Sequence, residues 1–364
     1  CEGTPDNLIV NEVGCSDDDG DGIFSNVDDC PNSPQKWTAN ENGCTVLELP
    51  ISWTNSGYGN GRMDKVSDFS FSTLDGSFSF QSDWTGHDVY MFLFKYTDSS
   101  GNTNANLLSS NPAAMIRKLP DNIHLFYGSF DSTYHSDMVN LRDDVLLGLS
   151  GPEEAEWMPR IHFIDQQGGS IGGGIGELIG NWGSLYYGID RFQRARELGS
   201  INDWIQSGSD PTHWAYEPMT WNYEFKQEIR IEDPGVHAIP VIQNNWHSGG
   251  WGSGMNSYYN ATIDLPENIS QYDTLEVFHE HACEDHRNIY QDANGNKKGC
   301  HEWDYLSYLY ICDADNNSKC STEFVRWITT YGREGRWITD VSPYLFMLQD
   351  DQERRFRYNG ANKG

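Results

Sequence analysis

The chain has 364 residues, of which 54 are Asp or Glu and 24 are Lys or Arg, so its formal net charge is −30. Nucleic acid and anionic membranes are bound through cationic patches, and this charge therefore excludes both as partners. The sequence lacks an apolar run of about 18 or more residues, so it predicts no membrane span. Its 36 glycines and its aromatic content of 13% favour β-rich structure.

Eight cysteines form one cluster near each end of the chain. An even number of cysteines in an acidic chain without Cys-x-x-Cys pairs predicts disulfide bonds and an exported protein. These residues are Cys1, Cys15, Cys30, Cys44, Cys283, Cys300, Cys312 and Cys320.

Residues 1–44 contain a repeat. Two segments each begin Cys-x-x-Ser/Thr-Pro and end Gly-Cys, with the same spacing from Cys1 to Cys15 and from Cys30 to Cys44. The sequence between them is Asp-Asp-Asp-Gly-Asp-Gly over residues 17–22, followed by a further aspartate at position 28. Alternating carboxylates on a glycine-bent loop supply the hard oxygen ligands that Ca²⁺ prefers.

This pattern resembles the thrombospondin type 3 repeat. The resemblance implies a calcium-repeat stalk with disulfides Cys1–Cys15 and Cys30–Cys44, on a protein that is secreted, periplasmic, at the outer-membrane surface or extracellular. Ser25 stands where the family usually has an aspartate. The alternative is an acidic, disordered linker. Because Cys1 falls inside a repeat, we expect the natural chain to continue upstream. The implied ligands of structural Ca²⁺ are Asp17, Asp19, Asp21 and Asp28.

The middle of the chain changes character twice. Residues 45–85 are rich in Ser, Gly and Asp and predict a hairpin or a linker. Residues 86–220 alternate between strand and helix patterns, which predicts a small α/β domain with a partly parallel sheet. Its order of elements is similar to that of thioredoxin-like domains. The absence of Cys-x-x-Cys excludes disulfide exchange, so we interpret the domain as a spacer or binding module.

The predicted elements of this domain include one continuous apolar strand, which is typical of a buried position. A glycine-rich segment, Gly168–Gly176, matches neither a dinucleotide fingerprint nor a Walker loop, and we interpret it as a flexible surface loop rather than a phosphate cradle. The predicted elements are strand Val89–Phe94, helix Ala105–Leu119, strand Ile123–Phe126, helix Tyr134–Leu149, strand Arg160–Ile164 and helix Asp190–Leu198.

Residues 221–364 have an all-β pattern, with alternating segments Ala261–Pro266 and Tyr272–His279 and a strand over Leu306–Cys312. The motif at residues 300–305 reads Cys-His-Glu-Trp-Asp-Tyr and is followed, after that strand, by Val325–Gly332. Over residues 236–364, the order and spacing of these elements resemble peptide-N-glycosidase F. The resemblance implies an antiparallel β jelly roll, incomplete at the end of this sequence. The whole chain is therefore predicted to be multidomain.

The peptide-N-glycosidase F family hydrolyses the amide between Asn and the first N-acetylglucosamine of an N-glycan. The resemblance implies that Asp304 accepts a proton from the attacking water, with Glu302 as its acidic neighbour. Trp303 is a sugar platform or a core residue. The implied partner is an N-glycoprotein or glycan. The implied disulfides are Cys283–Cys300 and Cys312–Cys320.

Three departures from the family pattern favour a second hypothesis. Tyr305 replaces an arginine, and Asn359 stands near the position of an assisting glutamate. The sequence ends at Gly364, before the second jelly roll that carries another acidic residue of the family. Asp304 is then a structural carboxylate, and the chain is a non-catalytic cell-surface protein that binds glycans or assembles with other surface chains.

A histidine cluster raises a third hypothesis. His279 and His281 point the same way on a strand and, with His286 or His301, could bind a transition metal. No ligand-spacing signature supports this, and the alternative is a polar loop with scattered histidines.

Overall fold

The computed structural model describes residues 9–104, 112–198, 214–245, 258–300, 305–313, 319–348 and 353–360. The chain forms two compact units, Cys1–Gly199 with Asp203–Val236, and Ser200–Asn202 with His237–Gly364. It is a mixed α/β protein with several sheets whose strand pairs are mostly antiparallel. The predicted domain boundary at residues 220/221 falls inside a helix of the first unit, Tyr216–Ile229.

The first unit is built on one seven-stranded sheet in the order β2-β1-β5-β4-β3-β6-β7. The pairs β3/β4 and β4/β5 are parallel, and the other pairs are antiparallel. The helices α1 to α5 occupy Pro112–Ile116, Tyr134–Gly148, Gly151–Trp157, Gly173–Trp182 and Tyr216–Ile229. The strands β1 to β7 occupy Ser70–Thr73, Gly76–Ser79, Val89–Lys95, Ile123–Ser129, Ile161–Gln167, Tyr186–Ile189 and Ala195–Glu197.

Strand β3 lies between the two hydrophobic cores of the first unit. Its run of apolar residues is buried on both faces, as the sequence predicts. Met91 faces a core that includes Met138 of α2, while Phe92 faces a second core that includes Ile175 of α4. On that second side Phe92 stacks on Phe126 with ring centroids 4.5 Å apart. The predicted hairpin in residues 45–85 is β1–β2, and its phenylalanines complete the same core.

Two predictions about local structure in this unit are wrong. The segment predicted as helix Asp190–Leu198 contains a tight turn and strand β7, because Asp190 Oδ1 accepts the N–H groups of Phe192 at 2.9 Å and of Arg194 at 3.0 Å. The turn closes the β6–β7 hairpin. The acidic and basic residues of this segment form an ion-pair network, in which Arg194 and Arg196 contact Asp190 at 2.9 and 3.3 Å.

The glycine-rich segment Gly168–Gly176, predicted as a flexible loop, instead leads into α4. Gly173 has φ +67°, and a side chain on Gly174 would lie 3.0 Å from the backbone nitrogen of Ser67. Glycine is required because the start of the helix packs directly on the chain before β1. The predicted helix Ala105–Leu119 is observed as the shorter α1, and residues 105–111 lie outside the described residues.

The acidic repeats belong to the first unit, and their described part, residues 9–44, consists of turns rather than regular elements. They contact the segment that follows α5. The Thr38 N–H donates to Asp233 Oδ2 at 3.0 Å, and the Arg230 guanidinium lies 4.9 Å from the Trp37 ring centroid. The repeats are therefore attached to the α/β sheet domain by specific contacts.

The second unit contains a four-stranded antiparallel sheet, β13-β12-β15-β8, a two-stranded sheet, β9-β14, and the small hairpin β10–β11. Trp327 of β13 reaches across to the two-stranded sheet, where its ring lies 4.4 Å from that of His279 and its Nε1 donates to Thr339 Oγ1 at 2.9 Å. The two sheets thus enclose one core. The strands β8 to β15 occupy Tyr258–Ile263, Glu276–His281, Tyr290–Gln291, Lys297–Lys298, Leu306–Ile311, Thr322–Ile328, Gly335–Asp340 and Arg354–Asn359.

Three disulfides lie wholly within the described residues, and they are pairs that the family resemblances imply: Cys30–Cys44, Cys283–Cys300 and Cys312–Cys320. Cys15 is also disulfide-bonded, but its predicted partner Cys1 lies outside the described residues. These bonds are consistent with a secreted protein. Within the described part of the chain, no helix has the length and apolar character needed to cross a membrane.

Candidate functional site

The first candidate site is the acidic loop of the N-terminal repeats. The two Gly-Cys ends of the repeat have the same local geometry. Asn11 Oδ1 accepts the N–H of Cys15 at 3.0 Å, and Asn40 Oδ1 accepts the N–H of Cys44 at 3.1 Å. The glycine before each cysteine has a positive φ, 79° in the first and 81° in the second. The repeat seen in sequence is therefore also a repeat of conformation.

Three of the four predicted calcium ligands form one group. The carboxylate oxygens of Asp17, Asp19 and Asp21 lie within 4.8 Å of one another. Backbone N–H groups orient them: Asp17 accepts those of Gly20 at 2.7 Å and Gly22 at 2.9 Å. A loop that turns its own amides toward its carboxylates keeps several negative charges close together, which is unfavourable without a cation.

Asp21 carries an oxygen that a cation would satisfy. Its Oδ1 accepts the N–H of Ile23 at 2.7 Å, whereas its Oδ2 is buried and has no hydrogen-bond partner among the described residues. Burial and the charges of Asp19, Asp28 and Asp17 together raise the pKa of Asp21. A divalent cation at this point would offset both the burial and the repulsion.

The fourth predicted ligand, Asp28, approaches the group from the end of the loop. Its Oδ1 accepts the N–H of Cys30 at 2.8 Å. The chain passes very near it at Gly43, where a side chain would lie 2.8 Å from Asp28 Cγ and 3.4 Å from Asp21 Oδ2. Asp28 is therefore near Asp21 but outside the group of three, and a side chain at position 43 would displace its carboxylate.

The second candidate site lies at one end of the two-sheet unit, where β12 and β14 begin and β9 and β13 end. The motif residues Glu302, Trp303 and Asp304 fall in residues 301–304, which lie outside the described residues. The first and last residues of the motif, Cys300 and Tyr305, are described. Cys300 is bonded to Cys283, and Tyr305 opens the segment that becomes β12.

Both end residues of the motif are held by hydrogen bonds. The Cys300 N–H donates to the Arg287 carbonyl at 3.0 Å. On the other side, the Tyr305 N–H donates to Thr329 Oγ1 at 2.8 Å, and the Thr329 N–H donates to the Tyr305 carbonyl at 2.8 Å. Thr329 is only 1% exposed. The motif is therefore anchored at both ends by buried backbone contacts and a disulfide.

Glu334 links the disulfide loop to strand β14. Its Oε1 accepts the Cys283 N–H at 2.8 Å and lies 2.8 Å from His286 Nδ1. Its other oxygen is 3.9 Å from Arg336, whose Nη2 also donates to Glu280 at 2.9 Å. Arg336 is buried, with 3% of its surface exposed. The result is a network of opposite charges, buried at Arg336 and partly exposed at His286 and Glu280.

The contacts within this network shift the pKa values of His286 and Glu334. The hydrogen bond to Glu334 raises the pKa of His286 against the opposing effect of burial. Burial alone would raise the pKa of Glu334, but the His286 hydrogen bond and the Arg336 charge outweigh it and lower that pKa. Glu334 is therefore an ionised carboxylate at this end of the unit.

The disulfide loop is conformationally strained. Asp285 and His286 have φ of 54° and 51°, a left-handed conformation that side chains other than glycine rarely adopt. Such residues persist only where the surroundings fix them, and here Glu334 does so by holding both His286 and Cys283. Strain of this kind is concentrated at functional sites.

His279 and His281 share one face of β9, as the sequence predicts, with ring centroids 6.0 Å apart. The ring of His279 packs against Trp327 and lies 5.1 Å from the ring of Trp337, and its Nε2 is 3.2 Å from the Tyr358 hydroxyl. Neither histidine belongs to a group of three metal-ligand side chains in the described part of the chain. The packing of His279 against Trp327 and Trp337 places its ring at the core between the sheets.

Sequence reasoning missed Thr329 and the Glu334–Arg336 pair. Thr329 lies in the segment Val325–Gly332 and Arg336 lies in β14, but local spacing marks neither residue. Each acts on a residue more than twenty positions away, such as Tyr305 or Glu280. Asn359 is the last residue of β15 and lies opposite Tyr308.

The sequence was also compared with known proteins. No protein-family model matches the chain, and no curated protein matches it.

Proposed function

We propose that the second unit is a peptide-N-glycosidase F-like hydrolase of the amide that joins an N-glycan to asparagine. The observation that carries the proposal is the double anchoring of residues 301–304, by the Cys283–Cys300 disulfide on one side and by the paired bonds of Tyr305 and Thr329 on the other. Precise catalysis needs a carboxylate on a segment whose ends are fixed.

The chemistry of this reaction requires one carboxylate base. Asp304 takes a proton from water, and the water oxygen attacks the carboxamide carbon of the glycosylated asparagine. The carbon–nitrogen bond then breaks as Asp304 passes its proton to the departing nitrogen, which leaves with the sugar as a glycosylamine, and the asparagine becomes an aspartate. Glu302 is the second motif carboxylate, and Trp303 supplies an apolar face for the sugar. Glu334 positions the loop next to the motif.

The two-sheet, antiparallel arrangement of the second unit supports a jelly roll. The strand order β4-β3-β6-β7 and the flanking helices support a thioredoxin-like spacer in the first unit. We infer that Ca²⁺ binds Asp17, Asp19, Asp21 and Asp28 and makes the repeats a rigid stalk. The gathered carboxylates and the buried Asp21 oxygen support that inference. The proposed protein is thus multidomain and acts at a cell surface or outside the cell.

The alternative is a non-catalytic surface protein that binds glycans or other surface chains. One observation favours it: Tyr305 replaces the family's arginine, and its backbone is committed to Thr329. Activity decides between the two functions.

The test is glycan release from a denatured glycoprotein by the natural full-length protein. We expect release by the unmodified protein and none by Asp304→Ala. Asp264→Ala is the matched control, since Asp264 is exposed and follows β8 at the opposite end of the sheet. If the unmodified protein releases no glycan, or if Asp304→Ala releases as much, the hydrolase proposal is wrong and the binding function stands.

A further inference from the structure

The outward side of the four-stranded sheet in the second unit differs from the rest of this acidic chain. Along β12 and β15, alternate residues are buried in the core and the others point outward. We call the outward side chains the outer face. The members that matter here are Tyr258, Tyr308, Tyr310, Arg326, Arg355 and Arg357.

The outer face is basic, whereas the chain as a whole carries a formal charge of −30. Among the described strand residues of this face, the acidic side chain is Glu323, and it accepts a hydrogen bond from Arg326 Nη2 at 3.0 Å. Arg355 and Arg357 stand two residues apart on β15, on the same side of the strand. The face therefore has an excess of positive charge on one strand, and it complements an anionic ligand.

Arg357 is oriented by an aromatic ring and an amide. The Arg357 guanidinium lies 4.4 Å from the Tyr258 ring centroid, and its Nε donates to Asn260 Oδ1 at 3.0 Å. A guanidinium held flat in this way keeps its terminal N–H groups free to form the two parallel bonds that a carboxylate accepts. Less of its conformational entropy is then lost on binding.

Aromatic surface lies next to these arginines. The rings of Tyr308 and Tyr310 are nearly parallel, with an interplanar angle of 18° and centroids 5.7 Å apart. In the sheet, Tyr310 is opposite Arg357. Tyrosine rings offer an apolar face to the C–H groups of a sugar ring and a hydroxyl to its polar rim.

These features together select one class of ligand. A nucleic-acid backbone would carry many charges past the acidic remainder of the chain and be repelled. A sugar bearing a single carboxylate needs only a local arginine pair and an aromatic surface. We propose that the outer face of the four-stranded sheet binds a carboxylate-bearing glycan, one that contains sialic or uronic acid, with Arg357 and Arg355 on the carboxylate and Tyr308 and Tyr310 against the sugar.

The test is calorimetric titration of the full chain with three probes: a sialylated biantennary N-glycan, the same glycan after removal of its sialic acid, and an oligogalacturonate. We expect binding of at least one acidic probe and much weaker binding of the neutral one. The acidic probe that binds identifies the source of the carboxylate. Arg357→Gln is expected to weaken binding about tenfold or more. Arg355→Gln is the second variant, should the first fail to fold.

The matched control is Arg142→Gln, which removes a partly exposed arginine of the first unit, 3.5 Å from Asp75, and should leave binding unchanged. The inference does not require catalysis, so Asp304→Ala is expected to bind as the unmodified chain does while releasing no glycan. Equal binding of the neutral and sialylated glycans, unchanged binding by both arginine variants on β15, or no binding of any probe would overturn the inference.

Discussion

Replacing Gly43 with alanine separates calcium binding from ordinary backbone strain. Gly14 and Gly43 occupy the same position in the two repeats, with φ of 79° and 81°. A side chain on Gly14 would meet no described residue within 4 Å, whereas one on Gly43 would lie 2.8 Å from Asp28 Cγ. Gly14→Ala is therefore a matched control with the same strain and without the displacement of a ligand.

The magnitudes follow from these two contacts. A left-handed conformation costs an alanine about 1–2 kcal/mol, so both variants lose that much stability. Only Gly43→Ala must also move the Asp28 carboxylate. The loss of one charged ligand costs about 1.5–3 kcal/mol, which weakens calcium binding about tenfold to 150-fold.

Calorimetric titration of the chelator-treated chain with Ca²⁺ measures both effects against the unmodified chain. We expect Gly14→Ala to keep the original affinity and Gly43→Ala to lose it by the stated factor. Equal affinities in the two variants would refute the placement of Asp28 in the site, and no calcium binding by the unmodified chain would refute the site itself.

Three further predictions concern stability and the anchoring of the motif. Burial, aided by the charge of His124, lowers the pKa of His162 to about 3. The unfolded chain then binds more protons, so the free energy of unfolding falls as pH drops below about 6.5, by about 2 kcal/mol at pH 5. Denaturant unfolding at several pH values should show this loss, His162→Gln should largely remove it, and an unchanged pH dependence would contradict the assignment. Asp190→Asn should lower the free energy of unfolding by about 3–5 kcal/mol, because a 2% exposed carboxylate is removed from buried arginines; a loss below about 1 kcal/mol in urea unfolding would count against it. Thr329→Val removes the acceptor for the Tyr305 N–H and should reduce glycan release about tenfold or more, whereas Thr329→Ser keeps that acceptor and should stay near the unmodified rate; equal rates would show that the anchoring does not matter.

The sequence predicted those parts of the fold that depend on local patterns. The apolar run of β3 predicts a buried strand because few loops can be uniformly apolar. The even number of cysteines predicts disulfides, whereas the pairing of the cysteines came from the two family resemblances. The helix predicted over Asp190–Leu198 is absent, because charges that suit a helix face instead form the Asp190 network. The need for glycine at position 174 comes from Val66 and Ser67, which lie over one hundred positions earlier.

In the candidate sites, too, sequence predicts the features that depend on local spacing and misses those that depend on contacts between distant residues. The four aspartates are close in sequence, so their spacing alone predicted a calcium loop, although not the part played by Gly43. The contacts of Glu334 with Cys283 and His286 span about fifty positions. The partners of Glu334 come close to it because β14 pairs with β9. No local sequence pattern therefore identifies this carboxylate.

The measurement that tests the central proposal most directly identifies the bond that is cut. A glycopeptide is incubated with the natural full-length protein in water enriched in the heavy isotope of oxygen, and the products are examined by mass spectrometry. We predict that the glycosylated asparagine becomes an aspartate with one heavy oxygen, and that Asp304→Ala gives no such product. An asparagine that keeps one N-acetylglucosamine, or an intact glycopeptide, would contradict the proposal.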